Sequence, residues 1–210
     1  MLEIRDITIS YEGSSIITSA HCFFEKGKRY QIIGNSGCGK TSLFYAICGA
    51  IMPDSGEIFF NGESVLFDGQ SYKDGIKKDI AFIFQEPAFI SNLTVAHNMQ
   101  LIAKCREISS DVILELFKKF GQEKLLQERP GRLSLHQKQL VSVILAICGS
   151  PKLVIWDGAF VNVPAEFLSV LNEIFAVLYE QEATFVYLNN YGEELEGIEK
   201  TFTLAAGSIS

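Results

Sequence analysis

The chain has 210 residues, 48% of them hydrophobic, which is enough for one globular domain with a substantial core. Its net charge of −7 argues against nucleic acid as the main partner, because neutralising a phosphate backbone requires a basic surface. The longest apolar run, "LVSVILAICG" at 140–149, has about half of the roughly 20 residues that span a bilayer. The first residues, "MLEIRDITIS", lack the apolar core of a signal peptide. We therefore expect a cytoplasmic protein.

Cysteine and histidine positions do not indicate a metal site. The five cysteines are an odd number and have no CxxC spacing, so we expect reduced thiols. The three histidines, His21, His97 and His136, are scattered along the chain and do not form a ligand pattern.

Two kinds of strand are predicted. Short alternating runs, such as "EIRDITI" at 3–9 and "GEIFFNG" at 56–62, are typical of antiparallel strands with one buried face. Four other runs are apolar throughout, as in strands of a parallel sheet covered on both faces. These four runs lie at 30–34, 79–85, 153–157 and 184–188.

Helical patterns alternate with the buried runs, which predicts an α/β core. After residue 40, the pattern of "TSLFYAICGA" at 41–50 predicts a helix. Further on, "SDVILELFKKF" at 110–120 predicts a helix capped by Ser110, with Val112 on its apolar stripe and a stop at Gly121. Because helical patterns run from about 88 to 138 without a strand, we expect a helical lobe there.

The most specific motif is "GNSGCGKTS" at 34–42, which fits G-x-x-x-x-G-K-[ST] between a predicted strand and a predicted helix. Glycines let backbone N–H groups surround phosphates, Lys40 supplies a positive charge, and Thr41 offers a hydroxyl to Mg²⁺. The predicted phosphate contacts are Gly34, Asn35, Ser36, Gly37, Cys38, Gly39, Lys40, Thr41 and Ser42.

Over nearly its whole length the sequence resembles the ATP-binding subunit of ABC transporters. Tyr11 stands where that family has the aromatic residue that stacks on adenine, and "PDSGEI" with "NG" at 53–62 follows the first helix as in the family. The stretch "AFIFQEP" at 81–87 resembles the Q-loop, with Gln85 in the position that reaches Mg²⁺ and water. "RLSLHQ" at 132–137 falls at the LSGGQ signature, and its distance from Asp157 agrees with the family.

The resemblance implies a fold and a set of ligands. It implies an α/β P-loop NTPase (RecA-like) core with an antiparallel β subdomain and an inserted helical subdomain. The core would comprise about 1–87 and 139–210, and the helical subdomain about 88–138, within one domain of 1–210. ATP and Mg²⁺ would be the cofactors, with Thr41, Gln85 and Asp157 near the metal. Ser134 and Gln137 would contact the nucleotide of a second subunit, although Ser134 also reads as an ordinary helix N-cap.

The resemblance also implies two protein partners. One is a second ATP-binding subunit, in a homodimer or heterodimer. The other is a membrane-embedded subunit, which would dock near Phe89, Ile90 and Leu93 and hold the chain on the cytoplasmic face of the inner or plasma membrane. No nucleic-acid partner is expected.

Four departures from the family pattern concern hydrolysis. Gly158 stands where the family has the glutamate that polarises the attacking water, and Leu135 and His136 replace the two signature glycines. Asn190, or Asn189 if the alignment shifts by one, stands at the switch histidine, and "VNVP" at 161–164 replaces "SALD". We therefore expect ATP binding with weak or absent hydrolysis.

Two alternatives stay open at this point. The chain could be an active transport ATPase in which a substitute base or a competent partner supplies the missing group. It could also be a P-loop kinase or a soluble ABC-type factor, although no Arg-rich lid, tandem cassette or long coiled coil is visible in the sequence. The transported substrate and the direction of transport are not encoded in any of these motifs.

Overall fold

The computed structural model describes residues 1–67, 71–72, 76, 78–158, 164–191 and 197–210. Their strands are β1 Leu2–Tyr11, β2 Ser14–Phe24, β3 Arg29–Ile33, β4 Ser55–Phe60, β5 Glu63–Ser64, β6 Leu66–Phe67, β7 Ser71–Tyr72, β8 Ile80–Ile83, β9 Leu153–Asp157, β10 Thr184–Asn189, β11 Lys200–Ala205 and β12 Ser208–Ile209. The helices are α1 Lys40–Ile47, α2 Val95–Arg106, α3 Ser110–Lys119, α4 Leu135–Ile147 and α5 Ala165–Glu180, with short 3-10 helices at Glu123–Gln127 and Pro130–Arg132.

The central sheet has six strands in the order β12-β11-β3-β10-β9-β8. Strands β8, β9, β10, β3 and β11 run parallel to one another, and β12 closes the edge as an antiparallel strand. All four fully apolar runs are confirmed as parallel strands. The run at 79–85 forms a strand only over Ile80–Ile83, so Gln85 lies just beyond the carboxyl end of β8.

A second, antiparallel sheet has the order β2-β1-β4-β5. It contains the alternating runs, and its inward side chains, such as Ile4 and Ile58, are fully buried. The α/β fold with an antiparallel sheet is therefore confirmed.

Strand β9 separates two apolar clusters on opposite faces of the central sheet. Side chains alternate along a strand, so Leu153 and Ile155 pack with α1 on one face, while Val154 and Trp156 pack with α2–α5 on the other. Asp157 follows Leu153 and Ile155 in this alternation. Its carboxylate therefore belongs to the face that α1 covers.

Two helix predictions need correction at their ends. Helix α1 stops at Ile47 rather than residue 50, because Gly49 has φ 72 and its N–H bonds to Ala46 O at 3.1 Å, which closes the helix. Helix α3 is capped by Ser109 instead of Ser110, since Ser109 Oγ accepts from Asp111 N at 3.2 Å. Val112 is 48% exposed and lies off the buried stripe.

Residues 88–138, all of which the structure describes, contain α2, α3, the two 3-10 helices and the first turn of α4 but no strand. Their buried side chains, including Met99, Ile113 and Phe117, join the same apolar cluster as α4 and β9. The helical lobe therefore packs directly on the sheet, while its boundaries as a separate subdomain stay a prediction. No helix within the described ranges combines the length and the apolarity that crossing a bilayer requires.

Candidate functional site

A polar cleft of about 210 Å³ lies where the carboxyl ends of β3, β8, β9 and β10 meet. Ligand sites in open parallel sheets form at this edge, because the loops that leave neighbouring strands converge there. The cleft is smaller than the roughly 300–1,000 Å³ of pockets that enclose a whole small molecule. Its described lining residues are Ile16, Ser36, Gly37, Gly39, Lys40, Thr41, Ser42, Gln85, Asp157, Gly158, Leu188, Asn189 and Asn190.

The loop between β3 and α1 turns on two glycines. Gly37 has φ 79 and Gly39 has φ 108, conformations that favour glycine. A Cβ on Gly39 would also lie 2.8 Å from Ile16 Cγ2 on β2. The tight turn directs the first turn of α1 into the cleft, where its unpaired N–H groups favour an anion.

Lys40 is held by the loop that it terminates. Its Nζ donates to Gly34 O at 2.8 Å and to Asn35 O at 3.0 Å, so the ammonium group stays beside the cleft. A Cβ on Gly34 would stand 2.5 Å from Cys38 Sγ and from Leu204 O, so this position accepts only glycine. The loop is thus packed tightly between the lysine and strand β11.

Asp157 and Thr41 both line the cleft. Asp157 is only 4% exposed. Burial raises the pKa of the Asp157 carboxyl, while the neighbouring Thr41 side chain and the charge of Lys40 lower that pKa in part. The structure therefore places a hydroxyl and a carboxylate together, two hard oxygen groups of the kind that Mg²⁺ prefers.

Gly158 adopts a backbone conformation that side chains avoid. Its φ is +123, and a Cβ there would lie 3.1 Å from both Cβ and Cγ of Gln85. The Gly158 N–H donates to Leu188 O at 3.2 Å, which holds the turn after β9 against strand β10. Gly158 therefore contributes only a hydrogen atom to the cleft, at the position where the family pattern has a glutamate.

Two asparagines complete the rim from β10. Asn189 is 2% exposed, and its Oδ1 accepts from Asn190 N at 2.8 Å. Both residues line the cleft, so the one-residue ambiguity in the sequence alignment concerns two side chains at the same place. Gln85 reaches the cleft from the opposite side of β9, at the end of β8.

Several predicted site residues lie outside this cleft. Tyr11 is at the end of β1 with 68% of its surface exposed, and it is not a lining residue. Gly34, Asn35 and Cys38 belong to the loop but are not lining residues, and the carbonyls of Gly34 and Asn35 accept from Lys40 Nζ. Of the segment 161–164, only Pro164 belongs to the described residues.

The predicted signature residues form the start of α4. Ser134 Oγ accepts from Gln137 N at 3.2 Å, and Gln137 Oε1 accepts from Ser134 N at 2.9 Å, which is a capping box. The ordinary N-cap reading of Ser134 is confirmed. Leu135 is 58% exposed beside it, and neither Ser134 nor Gln137 lines the cleft of their own chain.

Ile16 and Leu188 were not identified from the sequence, although both line the cleft. Ile16 reaches it from the antiparallel sheet, and Leu188 is one of the apolar residues of β10. Each fits the ordinary pattern of its strand, so the sequence contains no signal that would single it out.

A second, mainly apolar groove of about 430 Å³ lies between β8, α2 and α4. Phe89 and Ile90, two of the residues predicted to contact a membrane subunit, line this groove. Leu101 and Ile102 of α2 form its opposite wall. Leu93 is not one of its lining residues, because it sits in a turn in which its N–H bonds Ile90 O at 3.1 Å.

Asn98 holds the edge of this groove in place. Its side chain accepts from Ile90 N at 2.9 Å and donates to Ile90 O and Thr94 O at 3.2 and 2.9 Å. The buried amide thus pairs with the backbone of residue 90 as a neighbouring strand would. The loop after Gln85 is therefore fixed against α2.

A sequence profile described as "ABC transporter" matches residues 18–161, which contain the cleft loop, Gln85 and Asp157. The chain belongs to the ABC transporter family. This confirms the resemblance drawn from the motifs, and the chain is an ATP-binding subunit of that family. The assignment excludes the P-loop kinase alternative.

Relatives in this family have different transport roles. The lantibiotic transport ATP-binding protein SrtF of Streptococcus pyogenes is 26% identical over 196 residues, 93% of this chain and 82% of its own length. The lipoprotein-releasing system ATP-binding protein LolD of Syntrophotalea carbinolica is 23% identical over 100% of this chain and 97% of its own. The spermidine/putrescine import ATP-binding protein PotA of Legionella pneumophila is 30% identical over 92% of this chain and 53% of its own.

Solved ABC cassettes have the same fold. An ATP-binding subunit of an ABC transporter superposes with a TM-score of 0.88 at 21% identity, covering 100% of this chain and 88% of its own. A dimeric cassette, MJ0796 bound to ADP and Pi, gives a TM-score of 0.83 at 20% identity, covering 100% and 97%. The P-loop NTPase architecture is therefore confirmed.

Gly158→Ala should destabilise the chain, because φ +123 is unfavourable for alanine and its Cβ would crowd Gln85. We expect a loss of about 1–3 kcal/mol in the free energy of unfolding, measured by urea denaturation. The matched control is Gly131→Ala, where no atom lies within 4 Å of the added Cβ and φ is not positive. Equal stability of the Gly158→Ala variant and the wild type would contradict the strained geometry.

Asp157→Asn should stabilise the free chain at neutral pH. The folded-state pKa lies above the ordinary value of 3.8, so the ionised carboxylate lowers stability once the pH rises above about that value. At pH 7 we expect a higher Tm than that of the wild type, by about 2–4 °C for each kcal/mol gained in the free energy of unfolding. Near pH 3 the Tm values of the variant and the wild type should be equal. Asp54→Asn, at an exposed site, should leave the Tm unchanged. A lower Tm for Asp157→Asn at pH 7 would contradict this interpretation.

Proposed function

We propose that the chain binds Mg·ATP, pairs with a second ATP-binding subunit in response, and transmits this change to a membrane-embedded transporter subunit with little hydrolysis of its own. The observation that carries the hydrolysis part is Gly158. Among the described residues that line the cleft, Asp157 is the single carboxylate, and it lies beside Thr41.

The groups that remain suit nucleotide binding. The N-terminus of α1 and the Lys40 ammonium would hold the β- and γ-phosphates, while a cleft of about 210 Å³ would enclose the phosphates and leave adenine outside, near Tyr11. Thr41 and Asp157 would hold Mg²⁺, with Gln85 beside it. Phosphate oxygens and water molecules would supply the remaining ligands, as is usual for Mg²⁺. When bound, Mg²⁺ neutralises phosphate charge.

Hydrolysis needs a group that positions and polarises water, and general-base assistance contributes roughly 10²–10⁴-fold. A side chain at position 158 would have to adopt φ +123 and displace Gln85. Asp157 would not act as a substitute base, because in this proposal its carboxylate holds the cation. We therefore infer a cleft that retains ATP.

The second subunit would approach through the start of α4. In ABC dimers each site combines the phosphate loop of one chain with the signature of the other, so Ser134 and Gln137 would face the partner's nucleotide. Here the capping box occupies both side chains, and the exposed Leu135 adds bulk where the family has glycine. This surface would close on ATP less tightly than a glycine-containing signature.

The apolar groove is the proposed docking site for the membrane subunit. Ile90 and Leu101 are 49% and 38% exposed on its two walls, which is the arrangement that receives a short amphipathic helix. Phe84 and Ala88, which lie on either side of Gln85 in the sequence, line the groove, so a helix seated there would sense movement of the loop that lines the nucleotide cleft. The chain would thus be held on the cytoplasmic face of the membrane.

Steady-state phosphate release by the assembled complex tests the hydrolysis proposal. We expect turnover below about 0.01 s⁻¹, against the roughly 1–10³ s⁻¹ usual for enzymes. Lys40→Ala should abolish ATP binding, and Gly158→Glu should recover little activity, because the added side chain strains the turn. Turnover within the usual enzymatic range that Lys40→Ala eliminates would show that another group acts as the base.

Replacing an apolar wall residue by a charge tests the groove. Leu101→Asp should release the chain from the detergent-solubilised membrane subunit by at least about tenfold in affinity, since an unpaired carboxylate would be buried on docking. The matched control is Leu168→Asp on α5, which is similarly exposed at 43% but does not line the groove. Full retention of both variants by the membrane subunit would contradict docking at this groove.

A further inference from the structure

Another cavity, of about 720 Å³, lies beside helix α5 at the amino ends of β3 and β10, and we call it the α5 groove. Its walls include Leu168, Phe175, Ala176 and Tyr179 of α5 and Phe185 of β10. The volume is within the roughly 300–1,000 Å³ of sites that hold a whole small molecule. The nucleotide cleft lies at the opposite, carboxyl ends of the same two strands, so the α5 groove is a separate site.

Helix α5 exposes one side to this groove. Leu168, Asn172, Ala176 and Tyr179 recur at the spacing of a single helix side, and all four are exposed lining residues. Three of the four are apolar or aromatic, and Tyr179 has 66% of its surface exposed. Apolar surface that adjoins a cavity is typical of a ligand-binding groove.

Arg29, the first residue of β3, is the single cation among the described residues that line the α5 groove. Its guanidinium carbon lies 4.7 Å from the centre of the Tyr179 ring, a cation–π contact. Gly197 has φ +75, and a Cβ there would lie 2.8 Å from Arg29 Nη1, so glycine leaves room for the guanidinium. The ring and the glycine together keep the charge at the groove.

The Arg29 guanidinium has no acidic partner within the part of the chain that the structure describes. Its nitrogens make no ion pair or side-chain hydrogen bond there, and none of them is closed off from solvent. Glu199 accepts instead from the Arg29 backbone N–H at 3.3 Å, and the lining residue Glu180 is exposed, so water compensates its charge. By contrast, Arg5, which also lies over a ring, donates to both carboxylate oxygens of Glu3.

We propose that the α5 groove binds a small aromatic carboxylate, with its carboxylate on Arg29 and its ring among the aromatic side chains of the groove. A guanidinium presents parallel N–H donors that match the two oxygens of a carboxylate. The walls favour a flat ring, because Phe175 and Phe185 already pack edge to face with centroids 5.3 Å apart, an arrangement that a third ring extends. This inference does not depend on the proposed function.

Two probes of one shape test the role of the charge. 2-Naphthoate has a carboxylate, and 2-naphthamide has a neutral amide on the same rings. Titration calorimetry with the full chain should give an affinity at least about tenfold higher for 2-naphthoate, since bonds to a charged group are the stronger ones. Arg29→Met should abolish this preference and leave the affinity for 2-naphthamide unchanged. The matched control is Lys200→Met, which removes a cation 4.4 Å from the Phe202 ring, outside the groove, and should keep the preference.

Three further measurements locate the probe. Trp156, the single tryptophan, lies 6.1 and 6.4 Å from the rings of Phe175 and Phe185, so bound 2-naphthoate should change its fluorescence. Ala176→Trp, on the exposed side of α5, should fill the groove and weaken both probes in calorimetry with little change in Tm. Saturating Mg·ATP should leave 2-naphthoate bound, because the cleft lies at the other end of the sheet.

Four results would overturn the inference. They are no binding of 2-naphthoate at about 1 mM, equal affinities of the wild type for the two probes, a preference for 2-naphthoate that survives Arg29→Met, and displacement of 2-naphthoate by Mg·ATP. Sedimentation of the nucleotide-free chain tests the other occupant. If that chain is a dimer that Ala176→Trp dissociates, a second copy covers the groove, and the inference is likewise wrong.

Discussion

The proximity of Thr41 and Asp157 joins the two halves of the site, because it brings the first turn of α1 to the carboxyl end of β9. This proximity follows from strand alternation, which places Asp157 on the same face as Leu153 and Ile155, under α1. The same helix presents Lys40 and its N-terminus to the cleft. A buried carboxylate costs stability in the free chain, and a cation bound beside Asp157, as we propose, would offset this cost.

The residue after Asp157 provides no functional group to the cleft. Gly158 turns the chain with φ +123 and lets Gln85 approach closely, so the absence of a side chain at position 158 is part of the packing. A glutamate there would require a different turn as well as a different residue. In the proposed function, binding and hydrolysis are separated at two adjacent positions of one strand end, and nucleotide occupancy would be the signal that the subunit transmits.

Much of the fold was predictable, because fully apolar runs identify the parallel strands and a specific motif marks the loop before α1. Helix ends were less predictable: Ser109 and Ser110 are equivalent as caps in the sequence, and only the hydrogen bond to Asp111 distinguishes them. In the groove, Phe89 and Ile90 were found from local sequence, whereas Leu101 and Arg106 come from another helix and depend on tertiary packing. The positive φ of Gly158 likewise could not be predicted from the sequence, which shows only that the residue is a glycine.

The chemical state of bound nucleotide tests the central claim most directly. The wild-type chain, with its partner subunits, is loaded with Mg·ATP, separated from free nucleotide, and sampled over time, and the protein-bound nucleotide is identified by chromatography. A cleft that retains ATP predicts that the bound fraction stays ATP over many minutes and that Lys40→Ala retains none. Conversion of the bound nucleotide to ADP within seconds would contradict the account.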